Sequence, residues 1–254
     1  MPIDFHAEAN RYSYSGRAAD ESWRSALKQL VEPRSLDVVD VGCGGGTYCQ
    51  AFLDLGARTV TGVDFSHAML ESAEEAVPGA GFVQGEAVAT GLADACADVV
   101  FERALVHHVH DRAAAAREAR RLLRPGGMVV IQDRTPEDIR QPGTPTHPRG
   151  WFFRVFPRLL DVELGRRPDP IQLTADLYEA GFRDVQTMTL WEVRRRHPSR
   201  ASFLEEIRQR TGRSILHELD DAEVEDLITE LRGLLPDEPV VETDRWTIWS
   251  GRAA

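Results

Sequence analysis

Three glycines, Gly42, Gly44 and Gly46, follow the apolar run Leu36 to Val41, and Tyr48, Phe52 and Leu53 come after them at helical spacing. Strand, glycine turn and helix in that order make a nucleotide-type site. Glycine has no Cβ, so a bulky ligand can approach the backbone closely, and the N–H groups that open the helix face that ligand. Asp40 stands two residues upstream of the turn. A second apolar run, Val60 to Val63, ends in Asp64, 22 residues after Gly42. A carboxylate there lies beside the first strand and can accept both hydroxyls of a ribose. His107, His108 and His110 cluster at the end of a later run, where imidazole can move a proton near neutral pH. Arg103 is placed either to hold an anion or to pair with Glu102 or Asp111.

The same residues exclude other chemistries. A dinucleotide fingerprint G-x-G-x-x-G needs a glycine at position 47, where this chain has Thr47. The basic residues are 29 arginines and one lysine, Lys28, so the lysine of a P-loop is missing after Gly46. A tyrosine–lysine oxidoreductase pair fails for the same reason. Cys43, Cys49 and Cys96 have no spacing that completes a zinc site and read as small buried side chains in a reducing compartment. No metal is expected. A net charge of −11 argues against nucleic acid as partner, and the run Arg194-Arg195-Arg196 reads as a solvated face. No apolar stretch approaches the roughly 20 residues that span a bilayer. The expectation is a soluble cytoplasmic protein acting on a small molecule, with oligomeric state open.

Elements that would position these groups alternate along the chain. Helices are expected over Arg17 to Val31, from Thr47, after the N-cap Ser66, and over Arg112 to Leu123. Strands are expected over Leu36 to Val41, Thr59 to Val63, Gly81 to Gln84, Asp98 to Glu102 and Met128 to Gln132. Near-continuous apolar strands between helices predict a parallel sheet buried on both faces. Residues 134 to 150 read as a proline-rich loop. Trp151 to Leu164 then reads as an amphipathic helix broken by Pro157, and Leu173 to Ala180 as another helix. Val185 to Trp191 and Thr243 to Ser250 read as two late strands, with two helices within residues 199 to 235 between them.

The G-x-G-x-G turn led by Asp40 resembles motif I of the class I S-adenosylmethionine-dependent methyltransferases. Val60-Thr61-Gly62-Val63-Asp64 is similar to their motif II, and Gln84-Gly85-Glu86-Ala87 to the stretch that holds adenine. The segment Asp98 to Asp111 and the turn Leu122-Leu123-Arg124-Pro125-Gly126-Gly127 resemble the UbiE/COQ5-like small-molecule group. The resemblance covers about residues 35 to 135. It implies an α/β Rossmann-like doubly wound sheet of seven strands, order 3-2-1-4-5-7-6 with the last strand antiparallel. It also implies S-adenosyl-L-methionine as cofactor and S-adenosyl-L-homocysteine as product. The cofactor would lie across Gly42, Cys43, Gly44 and Gly46, with Asp64 on the ribose, Phe65 against the adenine, Glu86 and Ala87 on its polar edge, and Arg103 near its carboxylate. His108 and His107 are the candidate bases.

One departure is the stretch of about fifty residues between the last two strands. We expect an N-terminal arm and helix over 1–34, a methyltransferase domain over 35–254, and helical cap insertions at about 134–171 and 192–240. The acceptor pocket is expected between Tyr12, Tyr14, Arg17, the segment Trp151 to Phe156 and the cap helices. The competing reading is an inactive cofactor-binding regulatory or scaffold protein.

Overall fold

The computed structural model describes residues 19–254, so Tyr12, Tyr14 and Arg17 lie outside the described residues. Seven strands form one sheet: β1 (Asp37–Val41), β2 (Thr59–Asp64), β3 (Gly81–Gln84), β4 (Ala97–Arg103), β5 (Leu123–Asp133), β6 (Phe182–His197) and β7 (Val240–Ala253). Their order is β3-β2-β1-β4-β5-β7-β6, with β7 antiparallel to both neighbours. This is the expected topology. The first helices are α1 (Glu21–Leu30), α2 (Thr47–Asp54), α3 (His67–Ala76) and α4 (Arg112–Leu122). Asp20, Ser66 and Asp111 cap α1, α3 and α4 by accepting a first-turn N–H. Two buried clusters cover the two faces of the sheet. Trp23 of α1 belongs to the first of them, its ring 5.5 Å from Phe52 and 5.7 Å from Phe101.

The segment read as a loop is more regular than expected. Thr135 and Asp138 close a capping box around the short helix α5 (Pro136–Ile139), with Pro136 in its first turn. Next come α6 (Arg149–Val155) and α7 (Pro157–Arg166). Pro157 starts α7 instead of merely interrupting a helix, because a first-turn N–H has no intrahelical acceptor. Helix α8 (Pro170–Glu179) leads into β6. Between β6 and β7 lie α9 (Arg200–Arg208), a 3-10 turn (Ser214–Glu218) and α10 (Asp221–Leu234). A third cluster joins Trp151, Phe152 and Phe153 of α6 to Phe203, Ile207, Leu227 and Leu231, giving this helical cap its own core. No helix among the described residues is long and apolar enough to cross a membrane.

The strands β6 and β7 are far longer than their apolar stretches. The pairing of β5 with β7 ends at Asp133 opposite Thr247, yet β6 and β7 stay paired to His197 opposite Val240. A two-stranded ribbon therefore overhangs the C-terminal edge of the parallel strands, the edge where such sheets bind ligands. In the overhanging part of β7, Val240, Glu242, Asp244 and Trp246 are buried, and Val241, Thr243 and Arg245 between them are half-buried. The two-residue period is intact, and charged side chains occupy its inner face.

Candidate functional site

A cavity of about 680 Å³ opens between the C-terminal edge of the sheet, the ribbon and the cap. Gly42, Cys43, Gly44 and Gly45 form one end of it. The Gly42 and Cys43 N–H groups donate to the Val63 carbonyl at 2.7 and 3.0 Å, tying the turn to the end of β2. Asp64 fixes it further, accepting from the Gly44 N–H at 2.9 Å and the Ser66 N–H at 2.9 Å. A Cβ built at Gly44 or Gly45 meets nothing within 4 Å, so both backbones border open cavity. The two differ in conformation: Gly44 has φ 51°, where an L-residue costs about 1–2 kcal/mol, and Gly45 has no such constraint.

Gly46 is the residue of the turn that does not line the cavity. It caps α2, and a Cβ there would press on Val77 at 3.1 Å. Phe65, Glu86 and Ala87 line the rim. The Glu86 N–H is engaged by the Ala89 carbonyl at 3.2 Å, whereas the Ala87 N–H has no acceptor among the described residues.

Asp40 also borders this end and is buried. Burial, reinforced by the charge of Asp64, raises its pKa from 3.8 to about 7. A carboxyl whose folded pKa is raised stabilises the fold below its unfolded value, and that contribution drains away as pH rises toward the folded value. Asp40→Asn removes the liability. The apo variant is expected to become more stable relative to wild type as pH climbs from about 4 to about 7, the gap reaching at least ~1.4 kcal/mol, the worth of one pKa unit. Denaturant melts across that range check it, and a gap independent of pH would refute it.

At the end of β4, Ala104 takes the left-handed conformation (φ 52°) and donates its N–H to the Gln132 carbonyl at 2.8 Å. This bend carries Leu105, His107, His108 and His110 into the cavity wall. His107 Nδ1 lies 2.9 Å from Asp133 Oδ2, and its backbone N–H donates to the same oxygen at 3.2 Å. Asp133 is buried and accepts further from the Arg134 N–H at 2.7 Å and Arg167 at 3.3 Å. Histidine and arginine together outweigh desolvation and hold this carboxyl well below the usual range. An ionised acceptor on Nδ1 selects the tautomer that leaves Nε2 with a lone pair. The His108 ring, 4.0 Å from that of His107, is exposed by area but enclosed by the cavity walls. Desolvation, then His107, lowers its pKa to about 4, so it is neutral at pH 7.

Arg103 pairs with neither Glu102 nor Asp111. Its guanidinium meets Glu192 at 2.7 Å and stacks on Tyr48 and Trp246. The Tyr48 hydroxyl donates to the same Glu192 at 2.6 Å. At the cap end, Arg134, Arg149, Arg167, Arg194 and Arg213 all line the cavity. Arg194 thus departs from the solvated run it was read in, while Arg195 and Arg196 stay on the surface. Trp151 to Phe156 fail to wall the cavity as expected; they fill the cap core, and the 3-10 region brings Gly212, Arg213 and Ser214 to the wall instead. His197, Glu206 and Glu242 come within metal-ligand reach of one another. Arg194 and Arg213 already compensate Glu242, at 2.7 and 2.6 Å, so the group is an ion-pair network.

Residues 39–131 match the family model described as a methyltransferase domain. The chain is 32% identical over 117 residues to trans-aconitate 2-methyltransferase of Acidovorax sp. (strain JS42), covering 46% of this chain and 44% of that protein. A probable S-adenosylmethionine-dependent methyltransferase of Mycolicibacterium smegmatis is 29% identical over 214 residues, 82% of this chain and 72% of that one. The chain thus spans about half or less of the length of the first of these relatives, 44%. Among solved structures, a putative methyltransferase from an antibiotic biosynthesis pathway of Anabaena variabilis superposes with TM-score 0.67 at 20% identity, over 89% of this chain and 94% of that one. At that identity the likeness is one of fold.

Proposed function

We propose that the chain, whose residues 39–131 match a methyltransferase domain, is a class I S-adenosylmethionine-dependent methyltransferase that methylates a small-molecule acceptor held under the cap, with S-adenosylmethionine as donor and S-adenosylhomocysteine as product. The observation that carries this reading is a single cavity bordered by the glycine turn with Asp64 and by the His107–Asp133 pair. The open backbone at Gly44 and Gly45 fits a bulky cofactor pressed against the chain.

The residues divide the work as follows. Asp64 accepts the Gly44 and Ser66 N–H groups, and as a carboxylate it is also the acceptor offered to the ribose hydroxyls. Phe65 lies against the adenine, Glu86 accepts its exocyclic amine, and the Ala87 N–H serves a ring nitrogen. Asp40 faces the cofactor's ammonium group. Arg103 is held by Glu192, so it shapes the wall, and a cofactor carboxylate would have to compete with Glu192 for it. The cofactor supplies a methyl carbon already activated by its sulfonium. What the protein adds is alignment and exclusion of water, and a base where the nucleophile carries a proton. His107 is that base, because Asp133 fixes its tautomer; His108 borders the same space as a neutral ring.

Gly45→Val separates ligand contact from backbone strain better than a change at Gly44, whose positive φ would destabilise the chain by itself. The Gly45 variant is expected to keep its apo stability within ~0.5 kcal/mol and to bind S-adenosylmethionine tenfold more weakly or worse, a loss of ~1.4 kcal/mol. Calorimetric titration beside a thermal melt decides it. Unchanged affinity would move the cofactor away from this turn.

A further inference from the structure

The two ends of the cavity have opposite character. Asp40, Asp64 and Glu86 line the cavity beside the glycine turn, with Arg103 close to Asp40. That end suits a cationic donor. The cap end presents Arg134, Arg149, Arg167, Arg194 and Arg213. Most of these guanidiniums have a dedicated acid: Arg167 holds Glu163 and Asp133, and Arg194 and Arg213 share Glu242 and Glu206.

Arg134 and Arg149 are served less well. Both rest on the single carboxylate of Asp244, Arg134 Nη2 at 2.5 Å from Oδ2 and Arg149 Nε at 3.0 Å from Oδ1. The third group there, His147, has its Nδ1 2.8 Å from the Thr243 carbonyl, and burial lowers its pKa. Arg149 is more than nine-tenths buried and donates its Nε to Asp244, while the residue borders the cavity. The Arg134 Nε is buried without an acceptor. Burial, then the charge of Arg149, lowers the pKa of Arg134 to about 10, whereas Asp244, Glu163 and Glu242 outweigh burial at Arg149 and raise its pKa. Trp246 stacks on Arg134 at 4.0 Å and holds its guanidinium in place. A buried donor left without an acceptor carries a desolvation cost that an anion relieves.

We propose that the acceptor is an organic acid whose carboxylate docks on the paired guanidiniums of Arg149 and Arg134. A carboxylate matches the planar fork of a guanidinium with two parallel hydrogen bonds, and here two such forks converge on one wall. This assignment rests on the methyltransferase reading above and specifies its acceptor.

The test offers the full chain methyl-labelled S-adenosylmethionine with matched pairs of small hydroxy, amino and dicarboxylic acids and their primary amides. Acids are expected to be labelled at least tenfold faster than their amides in kcat/KM. Arg149→Gln is expected to lower acid turnover tenfold or more while S-adenosylhomocysteine affinity stays within twofold, and Arg149→Lys to recover part of the loss. Amides labelled as well as acids would overturn the proposal, as would silence of every acid in a chain that binds S-adenosylhomocysteine. A fall in S-adenosylhomocysteine affinity in a folded Arg149→Gln chain would assign the arginine to the cofactor and also overturn it. Should that variant not fold, the acid–amide comparison on the wild-type chain decides alone. A wild-type chain that fails to bind S-adenosylhomocysteine would remove the methyltransferase reading itself, and this proposal with it.

Discussion

His107→Asn is expected to lower kcat by about 10²–10⁴, the usual worth of a positioned general base, while leaving cofactor affinity near wild type. The fold should tolerate the change. Asp133 keeps Arg167 and the Arg134 N–H as partners when the imidazole is gone, so no buried carboxylate is stranded. Asp133→Asn should reproduce part of the loss by a different route, because an amide no longer selects the tautomer with a free Nε2. The two changes act on one unit, so the double variant should be little worse than His107→Asn alone. Single-turnover rates at saturating cofactor are the measurement. A His107→Asn rate within threefold of wild type would transfer the proton to another group, or remove the need for a base.

For Asp64→Ala the expected loss is in binding. A carboxylate accepting two ribose hydroxyls is worth about 2–3 kcal/mol in charged hydrogen bonds, a weakening of roughly 30- to 150-fold. The same side chain accepts the Gly44 and Ser66 N–H groups, so its removal also loosens the turn. Asp64→Asn distinguishes the two contributions, because the amide oxygen can still accept one N–H while its nitrogen cannot accept a hydroxyl. Calorimetric titration of S-adenosylhomocysteine into the three proteins should rank them wild type, Asn, Ala. Equal affinities would dismiss the ribose assignment.

The parallel sheet was legible because its strands are short apolar runs, each closed by a turn residue or a polar cap. The glycine turn was legible for the same reason: its signal is contiguous. Gly45 escaped notice because the motif spacing singles out its neighbours, although it is the glycine with open space and an unconstrained backbone. The histidines stood out as a cluster, but the choice between them depends on Asp133, 26 residues beyond His107 in the chain. A signal existed. Asp133 closes the apolar run of β5 as Asp64 closes that of β2, and both sit at the ligand-binding edge of the sheet.

The cap end was not legible, and the reason is physical. Its arginines come from β5's exit, α6, α7's exit, β6 and the loop before the 3-10 turn, so no local pattern joins them. On the ribbon the usual inference from polarity to exposure fails, because Glu242 and Asp244 are buried against arginines while Val241 and Thr243 are half-buried. The aromatic run of α6 misled in the opposite sense. Its size and apolarity fit a pocket wall, but a cap with its own core needs exactly such residues inside it.

The central claim is that the cavity at the glycine turn is a methyl-donor site and not a dinucleotide site. Titrating the full chain with S-adenosylhomocysteine and, separately, with NADPH tests it most directly. The account predicts one-to-one binding of S-adenosylhomocysteine that weakens in Gly45→Val, and no heat from NADPH. Binding of NADPH with no response to S-adenosylhomocysteine would contradict it.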